Sequence, residues 1–228
     1  MKTIELIKKL DVLSVFRIQD IERLCQCKRE YARLILHRLT EKNLIKRIMR
    51  NVYTTKDNIS VIASNIYYPN YISFWYASYF FGYTDQIINT VQVATTKIKK
   101  QINFENYKIK FIPIKEFFGY KKIRTKEGTI FIVENEKLLI DAFLRPKECG
   151  NFDEIKKIYE NSKISEKKIV QYLKRVNKLS IIKRVGYLLE KIRDIDISDK
   201  FKLDKNYVIL NPFSKKWKKI DSKWRIKI

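Results

Sequence analysis

Histidine is nearly missing from this chain: His37 is the only one in 228 residues, and no His-x-x-x-His or Cys-x-x-Cys pair occurs. No serine or cysteine can be set beside His37 from sequence, so imidazole-assisted nucleophilic chemistry has no support. The three cysteines, Cys25, Cys27 and Cys149, cannot all pair, and Cys-x-Cys is not a usual structural-zinc spacing. They read as reduced thiols, with no metal site. Glycine is scarce as well: Gly82, Gly119, Gly128, Gly150 and Gly186 are isolated, which excludes a glycine-rich phosphate loop. No cofactor is therefore expected. No run of 18 apolar residues occurs, and the start Met1-Lys2-Thr3-Ile4-Glu5 lacks the apolar stretch of a signal peptide. The expectation is a cytoplasmic protein with no membrane partner.

Positive charge is in excess. Lysine and arginine number 49 against 25 acidic residues, a net charge of +24, in a chain that is 45% apolar and able to build real cores. A field of that sign favours a polyanionic partner. The excess is greatest at the ends, with +8 over residues 1–56 and +8 over residues 200–228. Lysine on a solvated helix face is the plainer explanation for part of it.

Along the chain, Ile4, Ile7 and Leu10 recur at helical spacing, Ile18, Ile21 and Leu24 mark a second short helix, and Ala32, Ile35, Leu36 and Leu39 a third, from about Arg29 to Lys42. Two short β-prone runs follow, 44–48 and 52–55, with Asn43 and Asn51 where positive φ is wanted. Three helices with a tight second connection and a hairpin describe a winged helix-turn-helix over residues 1–58. Residues 57–70 read as a connecting segment. A second domain over residues 66–228 mixes helices and strands and has a helical last third. The expected class is α+β: an N-terminal winged helix-turn-helix followed by a mixed α/β domain. Ser73, Asn135, Ser165 and Ser180 are candidate helix caps.

In such a motif the third helix enters the major groove, so residues off its buried stripe are the readers: Lys28, Arg29, Tyr31, Arg33, His37 and Arg38. Arg47, Arg50 and Asn51 would set the wing on the backbone or minor groove. Lys97, Lys99 and Lys100 after a strand, and the lysines of 215–219 around Trp217, are further basic candidates.

Local sequence resembles a known family. Leu36-His37-Arg38-Leu39-Thr40-Glu41-Lys42-Asn43-Leu44-Ile45 followed by Arg50-Asn51-Val52-Tyr53 resembles the winged-helix end of AbiEi-type antitoxins, with asparagine replacing the usual glycines at both turns. Tyr68-Pro69-Asn70-Tyr71-Ile72-Ser73-Phe74-Trp75-Tyr76-Ala77, Gly82-Tyr83-Thr84-Asp85-Gln86 and residues 91–97 are similar to the start of the AbiEi antitoxin domain. Residues 136–142 with Arg145-Pro146, and residues 182–190, resemble its later motifs. The resemblance implies a repressor that binds the operator of its own operon as duplex DNA. It also implies the antitoxin of a type IV toxin–antitoxin system, opposing a nucleotidyltransferase toxin with or without a direct complex. On that basis Lys97, Lys99, Lys100, Lys183 and Arg184 are the expected antitoxin surface.

Two other readings remain open at this level. A nuclease-like enzyme could use Glu105, Glu134 and Asp141 as Mg²⁺ ligands, although no catalytic lysine accompanies them convincingly. The basic C-terminal segment could serve an RNA-binding regulator. The expectation is a non-enzyme.

Overall fold

The computed structural model describes residues 2–228 and combines helices with sheets, consistent with the α+β class. The chain packs as two compact units. One comprises residues up to Ile72, Asn89–Ile114 and Lys122–Ile132; the other comprises Ser73–Ile88, Lys115–Lys121 and Val133–Ile228.

The first unit begins with helices α1 (Thr3–Asp11), α2 (Ile18–Cys25) and α3 (Arg29–Glu41), then a hairpin of β1 (Lys46–Met49) and β2 (Val52–Thr54). Asp20 accepts the Arg17 N–H at 2.8 Å, the reciprocal half of a capping box that starts α2. Gln26 in the left-handed conformation closes the same helix. Asn43 and Asn51 both take positive φ, as expected from their tolerance of that region. Leu6, Leu10, Phe16, Ile18, Ile21, Ala32, Leu36, Leu39 and Ile45 form one buried cluster. Phe16 and Tyr53 exchange backbone hydrogen bonds at 2.9 Å and stack their rings, which ties the hairpin to the helices.

The stretch expected to connect two domains is instead a buried helix, α4 (Ile59–Asn65). The Asn58 carboxamide oxygen accepts from the N–H groups of Ser60 and Val61, and Val61, Ile62 and Ala63 are fully buried. The Arg17 guanidinium donates to the Ile66 carbonyl at 2.9 Å, and the Asn65 carboxamide donates to Thr129 at 2.8 Å. A seven-residue helix buried on nearly every side, its two small serines included, carries no amphipathic period for a sequence to display.

Strands β3 (Asn70–Ile72), β4 (Thr90–Thr95), β5 (Ile102–Phe104), β6 (Tyr107–Pro113), β7 (Tyr120–Arg124) and β8 (Thr129–Val133) form a six-stranded mixed sheet. Its order is β5-β6-β4-β3-β8-β7. β4 lies parallel to β6, from Thr90 opposite Lys108 to Thr95 opposite Pro113, and antiparallel to β3. Its centre is buried on both faces, as Val91, Val93 and Ala94 show.

The second unit is built around α6 (Asn135–Leu144), buried from Glu136 to Phe143. Short α5 (Phe74–Phe80), α7 (Phe152–Asn161), α8 (Glu166–Val176) and α9 (Leu179–Arg193) pack against it. Its last residues form a small sheet in the order β10-β11-β9, from β9 (Val208–Ile209), β10 (Ile220–Asp221) and β11 (Ile226–Lys227).

Several expected caps differ. Glu134 rather than Asn135 precedes α6, Lys178 precedes α9 so that Ser180 lies inside it, and Ser165 makes no cap bond. Ser73 precedes α5, but its hydroxyl donates to the Asp141 carboxylate at 2.8 Å. A charged acceptor outcompetes a backbone N–H for that hydroxyl. The three cysteines are free thiols, and burial pushes the Cys149 thiol well above its usual range.

Candidate nucleic-acid interface

On α3, Ala32, Leu36 and Leu39 face the cluster, which leaves Arg29, Arg33 and His37, four residues apart, on an exposed stripe. The hairpin stands across from this stripe. Arg29, Arg33 and His37 from α3 line an open groove of about 840 Å³ together with Arg47, Arg50 and Asn51 from the hairpin. Ile18, Leu36, Thr40, Glu41 and Tyr53 complete its lining.

Among the described residues none of the four guanidiniums in this groove has an ion-pair partner, and the only carboxylate in its lining is Glu41, at the last position of α3. Other cations of the same unit are paired: Arg23 with Asp20, the half-buried Lys46 with Asp57 and Glu105, and the buried Lys56 with Asp11. Uncompensated guanidiniums converging on one concavity make a site for planar or tetrahedral anions, because each presents a fork of donors that matches phosphate geometry.

Asn51 has a structural task as well. Its carboxamide oxygen accepts the Ile18 N–H at 3.3 Å, so the turn of the hairpin is pinned to the start of α2. Asn51 also lines the groove with the arginines. Thr40, which the sequence reading passed over, lines the groove while donating to the Leu36 carbonyl at 2.8 Å. Its place three residues after His37 continues the exposed stripe, and that spacing was the available signal.

The other expected readers do not join the groove. Tyr31 and Arg38 lie on a different side of α3, where they line a smaller cavity of about 280 Å³ with Thr3, Leu6, Cys25 and Lys42. Helical periodicity explains this, since positions 31 and 38 are seven apart and fall together, away from 29, 33 and 37. Lys28 is exposed at the position before α3 and outside the groove lining.

The expected antitoxin surface is divided. Lys97, Lys99 and Lys100 lie between β4 and β5. Lys97 and Lys100 are exposed, and the Lys99 ammonium sits 4.6 Å from the centre of the Tyr67 ring. Lys99 and Lys100 line a concavity of about 710 Å³ with Ile48 and Met49, beside the hairpin. Lys183, in contrast, is buried, its ammonium held by the Asp204 carboxylate and the Asn206 carbonyl. Arg184 donates to the Ile209 carbonyl at 2.9 Å and lies over the Phe143 ring, and burial lowers its pKa. Those two cations hold α9 to the C-terminal segment and are not offered to a partner.

The carboxylates considered as Mg²⁺ ligands are each occupied. Glu105 pairs with Lys46. Burial pushes the Glu134 carboxyl up, but hydrogen bonds from Tyr172 and Lys168 outweigh it and hold it below its usual range. Asp141 is buried against Lys137 and Ser73. No group of three or more His, Cys, Asp or Glu among the described residues is placed to hold a metal ion. No described helix is long and apolar enough to cross a membrane. Comparison with protein-family models and with curated proteins finds no match to this chain.

Proposed function

We propose that the chain is a sequence-specific repressor that binds duplex DNA through a winged helix-turn-helix in residues 1–58. The observation that carries this reading is the groove in which Arg29, Arg33 and His37 of α3 face Arg47 and Arg50 of the hairpin, with Glu41 the one carboxylate in its lining and no ion pair to any of the four arginines among the described residues. An α-helix fits the major groove, where Arg33 and His37 reach base edges and Arg29 meets phosphate. Arg47 and Arg50 then hold the backbone beside it, which orients the helix without reading sequence.

Together with the AbiEi resemblance, this supports reading the chain as a non-enzymatic, cytoplasmic antitoxin of a type IV system. It represses its own operon and opposes a nucleotidyltransferase toxin, with residues 66–228 carrying the antitoxicity. Within the expected antitoxin surface, Lys97 and Lys100 remain exposed candidates, with the half-buried Lys99 beside them. Footprinting on the DNA upstream of the protein's own gene tests the first part, and a protected site lost in Arg33→Ala is expected. Growth rescue of cells expressing a nucleotidyltransferase toxin tests the second. Absence of a protected site, or of rescue by the full chain, rejects the corresponding part.

A further inference from the structure

The most basic stretch of the chain relative to its length is not in the groove of α3. Residues 200–228 hold ten lysines and arginines and two acids, and both acids have structural tasks. Asp204 takes the buried Lys183 ammonium, and Asp221 accepts the Trp224 N–H at 2.7 Å. Among the described residues Lys216, Lys218 and Lys219 have no carboxylate partner.

These lysines surround an aromatic floor. A groove of about 560 Å³ is lined by Ile209, Leu210 and Phe152 below and by Trp217 with Lys216, Lys218, Lys219 and Lys227 around it, and no Asp or Glu contributes to it. Trp217 is 45% exposed, an unusual state for so large an apolar ring, and the Lys227 ammonium stands 5.0 Å from the ring centroid. The backbone here is already committed. The N–H groups of Lys218 and Lys219 donate to the Ile228 carbonyl at 2.6 and 3.1 Å, and the Ile228 N–H returns to Lys219. Those three N–H groups are therefore not free to take an added peptide strand.

We propose that this groove binds single-stranded nucleic acid, with an unpaired base stacked on Trp217 and the flanking phosphates held by Lys216, Lys218, Lys219 and Lys227. An exposed indole ringed by unpaired ammoniums supplies the two interactions that single strands require, a π surface and a track of positive charge. A base inside a duplex has both faces covered by its neighbours, so the indole selects against double-stranded partners. The concave form fits an inserted base better than a flat bilayer surface. The site is separate in its residues from the groove of α3, so it stands or falls independently of the proposed repressor function.

The test uses the full chain and short oligonucleotides of one sequence as RNA, as DNA and as the annealed duplex, with indole fluorescence and anisotropy as readouts. Single strands are expected to quench Trp217 emission, and Trp217→Ala to remove the quenching and weaken single-strand binding roughly 5- to 100-fold. Trp217→Phe, which keeps a stacking ring, is expected to restore most of the affinity. Lys218→Gln with Lys219→Gln is expected to flatten the salt dependence by about 0.7 per lost phosphate contact. Arg33→Ala is expected to leave single-strand binding unchanged. A preference for RNA assigns the site to RNA through the 2′-hydroxyl, and equal binding assigns it to single strands of either sugar; both support the proposal. Unchanged single-strand affinity in Trp217→Ala, equal quenching by duplex, or quenching by anionic phospholipid vesicles but not by oligonucleotides overturns it.

Discussion

The indole of Trp224 lies against the bare Cα of Gly186: a Cβ on that glycine would stand 2.1 Å from Cζ3 and 2.2 Å from Cη2 of the ring. Gly186 is in the middle of α9, where glycine costs about 1 kcal/mol relative to alanine. The helix accepts that cost because the glycine lets the terminal sheet approach, with the Trp224 Nε1–H donating to Glu190 at 2.6 Å. Two effects therefore oppose one another in Gly186→Ala. Propensity favours the alanine by about 1 kcal/mol, and overpacking opposes it by about 1–3 kcal/mol or more at so close an approach. The expected outcome is net destabilisation, checked by denaturant unfolding, with partial recovery in the double variant carrying Trp224→Leu. A more stable Gly186→Ala protein would show that the ring moves aside.

The buried pair of Lys137 and Asp141 gives the second prediction. Both side chains are fully buried, with Asp141 also bonded to Ser73 and the Lys137 ammonium 5.0 Å from the Phe118 ring centre. Removing one partner leaves an uncompensated charge in the core, so Asp141→Leu or Lys137→Met alone is expected to cost about 3–5 kcal/mol. The double replacement is expected to cost clearly less. Thermal unfolding of the three variants decides it, and additive losses would argue that the two charges act separately.

Asp196 supplies a pH dependence. The Lys223 ammonium at 2.6 Å, together with the Ser198 N–H at 2.9 Å, lowers its carboxyl from 3.8 to about 2. A depressed carboxyl contributes stability that is fully present above the unfolded value near 3.8 and is lost as pH falls towards about 2. The group is exposed, so screening keeps the contribution small. Carboxyl-carbon NMR titration is expected to place the midpoint well below 3.8, and Lys223→Met to move it back up. An ordinary midpoint in the unaltered protein would show that the pair does not persist in solution.

The fourth prediction concerns where the chain can be cut. Val61, Ile62 and Ala63 of α4 are fully buried, and Ile59 and Ile66 nearly so. Each buried isoleucine or valine is worth about 1.5–3 kcal/mol, so losing α4 approaches the whole stability of a typical domain. A fragment starting at Asp57 is expected to be soluble and folded by circular dichroism, and to retain growth rescue in toxin-expressing cells. One starting at Tyr67 is expected to be aggregated or partly unfolded. Equal folding of the two would make α4 dispensable.

What the sequence made legible was local. The three helices and the hairpin followed from apolar spacing, and Asn43 and Asn51 from the conformations their positions demand. The exposed arginines of α3 and the hairpin were likewise readable, because both signals lie within a few residues. Long-range pairing was not. Lys183 was read as surface charge because nothing near position 183 announces Asp204. Ser73 was read as a cap because Asp141, 68 positions away, could not be seen to claim its hydroxyl. Strand β7, Tyr120-Lys121-Lys122-Ile123-Arg124, has no buried member and so no alternation to mark it; its neighbour β8 supplies the order.

The most direct test of the repressor reading is fluorescence anisotropy on duplex DNA from upstream of the protein's gene and on random duplex, over a range of salt, with unaltered, Arg33→Ala and Lys28→Ala proteins. The account predicts tighter binding to the upstream duplex. Arg33→Ala should lose about 1–3 kcal/mol of that binding and much of the preference. Lys28→Ala should weaken both duplexes alike and reduce the salt slope by about 1. Equal affinity for the two duplexes at every salt concentration, with Arg33→Ala indistinguishable from the unaltered protein, would contradict it.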